Sequence, residues 1–405
     1  MQLRNKTALR PDWTINLMMR ERVYLDWNAT TPLRPEARSA MAAAFDVTGN
    51  PSSVHSEGRA ARKLIEDARS AIACAVGAVQ RNVVFTSGGT EANALALTPG
   101  LRRGRAEPVQ HLIVSAIEHP SVLAGGRFAA GAIKTAPVLP SGVIDLDALA
   151  ALLADSRPAL VSVLLANNET GAIQPVREVA ELVHEAGGVL HVDAVQALSK
   201  MPIDIKAIGA DVLTISAHKI GGPKGVGAMI VGDTLSGLEA LIRGGGQEQG
   251  RRAGTENVPG ITGFGAAVRA AIASMEAVAA RMRELQARLE KGLRSHPGTV
   301  IFSDSVPRLP NTTLMSARGL KAETTVIGFD LAGIAVSSGS ACSSGKVQPS
   351  HVLQAMNADP ALLQGAIRLS LGWDTTEADI DRCLEAWIKL SSVLGKASAT
   401  GLEQF

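Results

Sequence analysis

The stretch ALVSVLLANNETGAIQPVREVAELVHEAGGVLHVDAVQ, residues 159–196, decides the fold class. Its two ends, ALVSVLLA (159–166) and VLHVDA (189–194), are short runs of aliphatic and β-branched side chains, the pattern of strands buried on both faces. Between them PVREVAELVHEAGG sets Val176, Val179, Ala180 and Val183 at helical spacing and stops on a glycine pair. A strand, a helix and a second strand in that order form a crossover unit whose strands run parallel.

Outward from this unit the same texture recurs. HLIVSA (111–116), DVLTIS (211–216) and VGAMIVG (226–232) read as further buried strands, so an α/β fold with a mostly parallel sheet is expected. Beyond Pro259 the pattern changes to a long alanine-rich helix from Gly265 to His296. The short strands TVIFS (299–303), NTTLMS (311–316) and AIRLSL (366–371) and a helix from Glu377 to Val393 follow it. This predicts an extension over 1–22, a large domain over 23–264 and a smaller α/β domain over 265–405. The first residues of the large domain are expected to pack with the small one, and a Gly/Ser-rich loop spans 337–347.

A chain of 405 residues, 46% hydrophobic and 19% charged, can bury a sizeable core. Its net charge of +2, without a basic stripe, argues against a nucleic-acid or membrane surface. The apolar strand-like runs are far shorter than the ~20 residues that cross a bilayer, so no membrane span is expected. Cys74, Cys342 and Cys383 are too few and too scattered for a disulfide framework or a metal knuckle, which points to a reducing, cytoplasmic setting and to no metal site.

Several strand ends carry chemistry-bearing residues. TISAHKIGGPKG places Lys219 where a rigid strand runs into a glycine turn, a location suited to a Schiff-base lysine; Lys224 in the same turn is its rival. HVDAVQ ends another strand on Asp193, 26 residues earlier, where an acid can keep a pyridine nitrogen protonated, with Gln196 in reach of a ring oxygen. FTSGGTEANALAL supplies a strand end, the Gly88–Gly89 turn and Thr90 opening a helix, a place for a phosphate, to which Ser216 and His218 can add donors. His119 in SAIEHPSV can stack on a flat ring and move protons, or simply cap its strand. Asn168 in LLANNETG offers an amide at a further strand end, and Arg368 in AIRLSLG a fork for a carboxylate. The small residues of SSGSACSSG around Cys342 resist packing, which favours an exposed thiol on a mobile loop over a buried one, as either a reactive group or an incidental cysteine.

Taken with LDWNATTP (25–32), GNPSSVH (49–55) and GGGQEQGRRAGTEN (244–257), these motifs resemble, in order and over nearly the whole chain, the cysteine desulfurases of the class V aminotransferase superfamily. The resemblance implies the fold type I of pyridoxal-phosphate enzymes. It implies that Lys219 holds pyridoxal 5'-phosphate, that Asp193 pairs with its ring nitrogen, that Gln196 and Asn168 reach the ring oxygen and that His119 stacks on the ring. Gly89, Thr90, Ser216 and His218 then hold the phosphate, and Thr255 adds to it across the interface of a homodimer. Arg368, with Asn168 and Asn28, is implied to bind L-cysteine, and Cys342 to take its sulfur as a persulfide, on the long mobile type of cysteine loop, for an acceptor such as an iron–sulfur scaffold. A selenocysteine lyase, a cysteine sulfinate desulfinase or another class V aminotransferase would share the fold. A plain aminotransferase has no use for Cys342, and a non-enzymatic sulfur-relay protein has no use for an intact Lys219, Asp193 and His119 set.

Overall fold

A seven-stranded mixed sheet holds the larger core of the computed structural model, which describes residues 22–339 and 349–400, the last eight by backbone alone. Its strands are β1 (Val83–Thr86), β2 (His111–Ser115), β3 (Ile133–Ala136), β4 (Ala159–Leu164), β5 (Val189–Asp193), β6 (Val212–Ser216) and β7 (Gly227–Val231), in the spatial order β1-β7-β6-β5-β4-β2-β3. The pairs β6/β5, β5/β4, β4/β2 and β2/β3 are parallel, and only β7 runs against its two neighbours. Every residue of β4, β5, β6 and β7 is buried, because helices cover both faces and leave no solvated side for polar alternation. The edge strand β3, with the mixed run IKTA, lacks that uniform apolar signal and was not expected from the sequence.

The helix between β4 and β5 spans Val176–Glu185 and buries the predicted stripe Val176, Val179, Ala180 and Val183. Because β1 is antiparallel to β7 and β7 to β6, the strands β1, β2, β4, β5 and β6 all point one way, and their carboxyl ends meet at one edge of the sheet. At that edge backbone groups leave the ladder and loops open, so pockets form there.

A second, four-stranded antiparallel sheet comprises β8 (Thr299–Ile301), β9 (Thr312–Ala317), β10 (Ser337–Ser338) and β11 (Ile367–Ser370) in the order β8-β9-β11-β10. The first strand among the described residues, Val23–Tyr24, pairs with Ile334–Ala335, and Val23 and Leu25 join the apolar cluster beside this sheet. The long helix runs from Val258 to Leu293, seven residues earlier than the sequence indicates at its start. Pro259 reads as a break, yet it sits in the first turn, where its missing N–H costs nothing, and Asn257 caps the turn by accepting from Gly260 N at 3.1 Å. This helix passes the length and apolarity test for a membrane span, but Ile261, Phe264 and Val268 enter the core of the large sheet and Met282, Leu285 and Leu289 that of the small one. A boundary at 264/265 therefore falls inside it. The last helix, Glu377–Thr400, extends past the expected Val393.

The segment 244–257 is pinned by one buried ion pair. Arg69 donates to both oxygens of Glu248 at 2.6 and 2.8 Å and to Val83 O at 2.7 Å, while Phe85 N donates to Glu248 at 2.9 Å. Glu248 sits at φ 47°, a left-handed conformation that glutamate rarely adopts and that these bonds hold in place. Removing one member leaves the other charge buried and unpaired, so Glu248→Ala is expected to lower stability by about 3–5 kcal/mol. Urea unfolding of parent and variant measures the loss.

Candidate active site

Five strand ends and the segment after Leu25 enclose a cavity of about 260 Å³. On one side, β1 leads into the helix Gly89–Ala96, whose first turn presents N–H groups that have no acceptor within the helix. Gly227, at the start of β7, faces this turn so closely that a Cβ there would lie 2.5 Å from the carbonyl carbon of Gly88. Gly89, Thr90, Ser216 and His218 line the cavity. The His218 imidazole is pushed down to about 4, by burial first and then by Lys219 and Lys224, so near neutral pH it is uncharged.

Lys219 closes the short turn after β6, and its Nζ donates to the carbonyl oxygens of Asn28 and Ala29 at 2.5 and 2.9 Å. Lys224, its rival in the sequence, does not line the cavity. Asp193, the last residue of β5, accepts from Val195 N and from Asn93 Nδ2, each at 2.9 Å. The His119 ring caps the turn Pro120–Leu123 by accepting from Ser121 N at 3.1 Å. Burial holds its pKa below the ordinary histidine value, helped by Lys219 and His351 and opposed by Asp193.

Asn168, Gln196 and Arg368 complete the wall. Arg368 Nη2 donates to Asp26 Oδ1 at 2.8 Å and Nη1 to Asn168 O at 3.0 Å, while its buried Nε has no hydrogen-bond acceptor. Asn28 lines the cavity too, but its amide is occupied. Nδ2 donates to Thr312 Oγ1 and Asn168 O, and Oδ1 accepts from Asn311 Nδ2 and Lys200 Nζ. This residue ties the walls together, which leaves its side chain little to offer a substrate. Thr255 is exposed and does not line the chain's own cavity. Cys342 lies outside the described residues.

The structure adds residues that the motifs did not single out. Lys200 is buried beneath the site and donates to Gln196 Oε1 at 2.9 Å and Asn28 Oδ1 at 3.1 Å, so it orients both amides. Burial, with Lys219 and Arg368 nearby, drives its pKa well below the lysine range. Glu118 is also buried, accepts from Leu164 N at 2.6 Å, and is pushed well above the carboxylate range by burial and by Asp193. Only the polar type of these residues in apolar surroundings marked them in the sequence, and many solvated loops share that mark.

The donor set fits one group. A helix N-terminus with Thr90, Ser216 and His218 suits a phosphate; Asp193 suits a protonated ring nitrogen; His119 supplies a flat ring; Lys219 supplies an amine for an aldehyde carbon. These are the requirements of pyridoxal phosphate. Comparison with known proteins agrees. Residues 23–383 match the family described as Aminotransferase class-V. A cysteine desulfurase of Cereibacter sphaeroides is 43% identical over 392 residues, covering 95% of this chain and 99% of its own. A NifS-like protein from Rickettsia africae superposes with a TM-score of 0.84 at 38% identity over 92% of this chain and 99% of that one. A structure of SspA in complex with cysteine superposes with a TM-score of 0.72 at 30% identity over 87% and 100%.

Beside the site, Glu169 is buried, accepts from Ser350 Oγ at 2.5 Å, and is raised to about 7 by burial, against the pull of Ser350 and Arg368. Below pH 4.5 the carboxyl is protonated in both folded and unfolded states. Between 4.5 and 7 the folded state keeps a proton that the unfolded chain releases, so stability falls as pH rises through this window. The full effect is about 3 kcal/mol. Glu169→Gln, which has no proton to lose, should gain on the parent by up to that amount between pH 4.5 and pH 8, as read from unfolding midpoints across pH.

Proposed function

The chain belongs to the class V aminotransferase family, and from that premise we propose that it is a pyridoxal-phosphate-dependent cysteine desulfurase, converting L-cysteine to L-alanine with the sulfur passing to Cys342 as a persulfide. The observation that carries this reading is that the Lys219 amine, the Asp193 carboxylate, the helix N-terminus at Gly89 and the Arg368 guanidinium all open on one cavity. When bound there, pyridoxal phosphate supplies an electron sink for the pair left at the substrate Cα.

The chain's own groups do the rest. Lys219 binds the cofactor, and its amine then carries the Cα proton. Gly89, Thr90, Ser216 and an uncharged His218 hold the phosphate. Asp193 keeps the ring nitrogen protonated, and Gln196, oriented by Lys200, and Asn168 face the ring oxygen. Arg368, with a buried donor to spare, receives the substrate carboxylate. The Cys342 thiolate forms an S–S bond to the substrate sulfur as the Cβ–S bond breaks, and the remaining three-carbon unit is protonated and released as alanine.

The other two thiols suit this role poorly. Burial pushes Cys383 up to about 12, which leaves almost no thiolate, and Cys74 sits on the helix Ser56–Ala75 away from the cavity. Thr255, exposed and outside the lining of its own cavity, is read as a phosphate ligand for a second copy, which makes the active form a homodimer. The sulfur acceptor is read as an iron–sulfur scaffold or related protein, and the paucity of cysteines supports a cytoplasmic setting.

Cys342→Ala is expected to stay yellow and to keep its spectral response to L-cysteine while losing persulfide formation and sulfide release. Sulfide and alanine at near the parent rate would replace the desulfurase reading with a lyase one. Lys219→Ala should lose the borohydride-reducible link to the cofactor, which peptide mapping of the reduced parent places on Lys219 and not on Lys224. A monomer in solution with full cofactor occupancy would remove the role given to Thr255.

A further inference from the structure

His191 is fully buried one strand position before the Val192–Asp193 end of β5, and nothing in the proposed reaction uses it. Burial pushes its imidazole down to about 4, so it is neutral in the folded protein. Its two nitrogens meet hydroxyls on the two flanking strands: Nδ1 lies 2.8 Å from Ser162 Oγ on β4, and Nε2 lies 3.1 Å from Thr214 Oγ1 on β6. Thr214 Oγ1 in turn lies 2.6 Å from Asn93 Oδ1. Asn93 Nδ2 reaches both Asp193 Oδ2 and Ser121 Oγ at 2.9 Å, and Ser121 Oγ lies 2.8 Å from His119 Nδ1.

Donor and acceptor chemistry gives this chain a single direction. The Asp193 carboxylate accepts, so the Asn93 amide must turn its NH₂ toward it and its oxygen toward Thr214. An amide oxygen cannot donate, so the Thr214 hydroxyl donates to it and must itself accept from His191. A neutral His191 then carries its proton on Nε2 and accepts from Ser162 on Nδ1. At the other end, the second NH of Asn93 donates into Ser121 Oγ, which directs the Ser121 hydroxyl hydrogen at His119 Nδ1. That nitrogen also receives the Ser121 backbone N–H. Two donors aimed at Nδ1 exclude a proton there, because a third hydrogen would face both of them in a buried site.

We propose that His191, Thr214 and Asn93 form a one-directional hydrogen-bond relay behind the cavity that holds His119 in its Nε2–H tautomer, so that His119 meets the reaction as a hydrogen-bond donor through Nε2–H and not as a base. Asn93 is the junction: the same NH₂ that braces Asp193 polarises Ser121, so the ring-nitrogen contact and the protonation of His119 are set by one amide. The thiol proton of Cys342 or of the substrate must then leave to another group, because the neutral His119 ring offers it an N–H and no open nitrogen. His191, Thr214 and Asn93 are positioning residues. The catalytic meaning rests on the desulfurase reading, whereas the tautomer is a property of the resting protein and is tested apart from turnover.

The test is nitrogen-15 NMR of the histidine side chains in the cofactor-loaded protein, with His119 identified by the signal lost in His119→Asn. In the parent, Nε2 is expected to carry the proton and Nδ1 to show an acceptor's shift throughout neutral pH; a proton on Nδ1 would overturn the relay whatever the activity. Thr214→Val keeps the shape and removes the hydroxyl bonded to Asn93 Oδ1, which leaves the amide held by Asp193 alone and loosens its bond to Ser121. It should raise the His119 titration midpoint by about one pH unit toward the ordinary histidine value and populate the Nδ1–H form, with Thr214→Ser restoring the parent spectrum. An unchanged His119 signal in folded Thr214→Val would sink the proposal. If that variant does not fold, Ser121→Ala removes the last link, and the same shift is expected from it; its absence has the same force.

Discussion

The bond between Asn93 and Asp193 is the contact on which the site depends. Asp193 ends the central strand of a sheet buried on both faces, where a carboxylate is costly unless its oxygens are paired. Asn93 and the Val195 N–H pair them from opposite sides. The amide that does so comes from the helix that starts at Gly89, so two ends of the cavity are referred to each other through one side chain. Because Asn93 also leans on Thr214 and Ser121, the strand end, the helix and the histidine turn are held in one polar layer.

The opposite wall is built where the two sheets meet. The segment after Leu25 leaves the small core and crosses to the large one. Asn28 N and the Trp27 N–H bond to Ser370, Thr31 bonds to His218 O, and Lys219 donates back to Asn28 O and Ala29 O. Lys200 reaches up from below to Asn28 and Gln196. The seam is polar and largely buried, so its groups find their partners inside it, and movement of one sheet against the other would disturb Lys219 and Arg368 together. Arg368 and Lys219 therefore respond to the same packing.

Several residues owe their chemistry to burial and not to residue type. His218 and His191 are both depressed to about 4, Glu169 is raised to about 7, and Lys200 and Glu118 are driven toward their uncharged forms. Each shift follows chiefly from desolvation, which always disfavours the charged form, with neighbours adjusting it. The result is a cavity with few charged groups in its wall.

Local pattern in the chain was enough for the strand–helix–strand unit at 159–196, the stripe Val176, Val179, Ala180 and Val183, and the placement of Lys219, Asp193 and Thr90 at strand or helix ends, because periodicity and turn chemistry act over a few residues. It misjudged the start of the long helix, where a first-turn proline looks the same as a terminating one, and it passed over β3, whose edge position relaxes the apolar demand. Which strand ends would share a cavity, that Asn28 would be spent on wall-to-wall bonds, and that Lys200, Asn93 and His191 would lie beneath it were matters for the tertiary structure alone. They depend on the strand order and on the approach of two sheets, contacts between residues more than 300 positions apart, as in the bonds from Arg368 to Asp26 and from Asn28 to Ser370, each across 342 positions. No window along the chain contains both partners of such a bond, and the free energy that forms it comes from the collapse of the whole core.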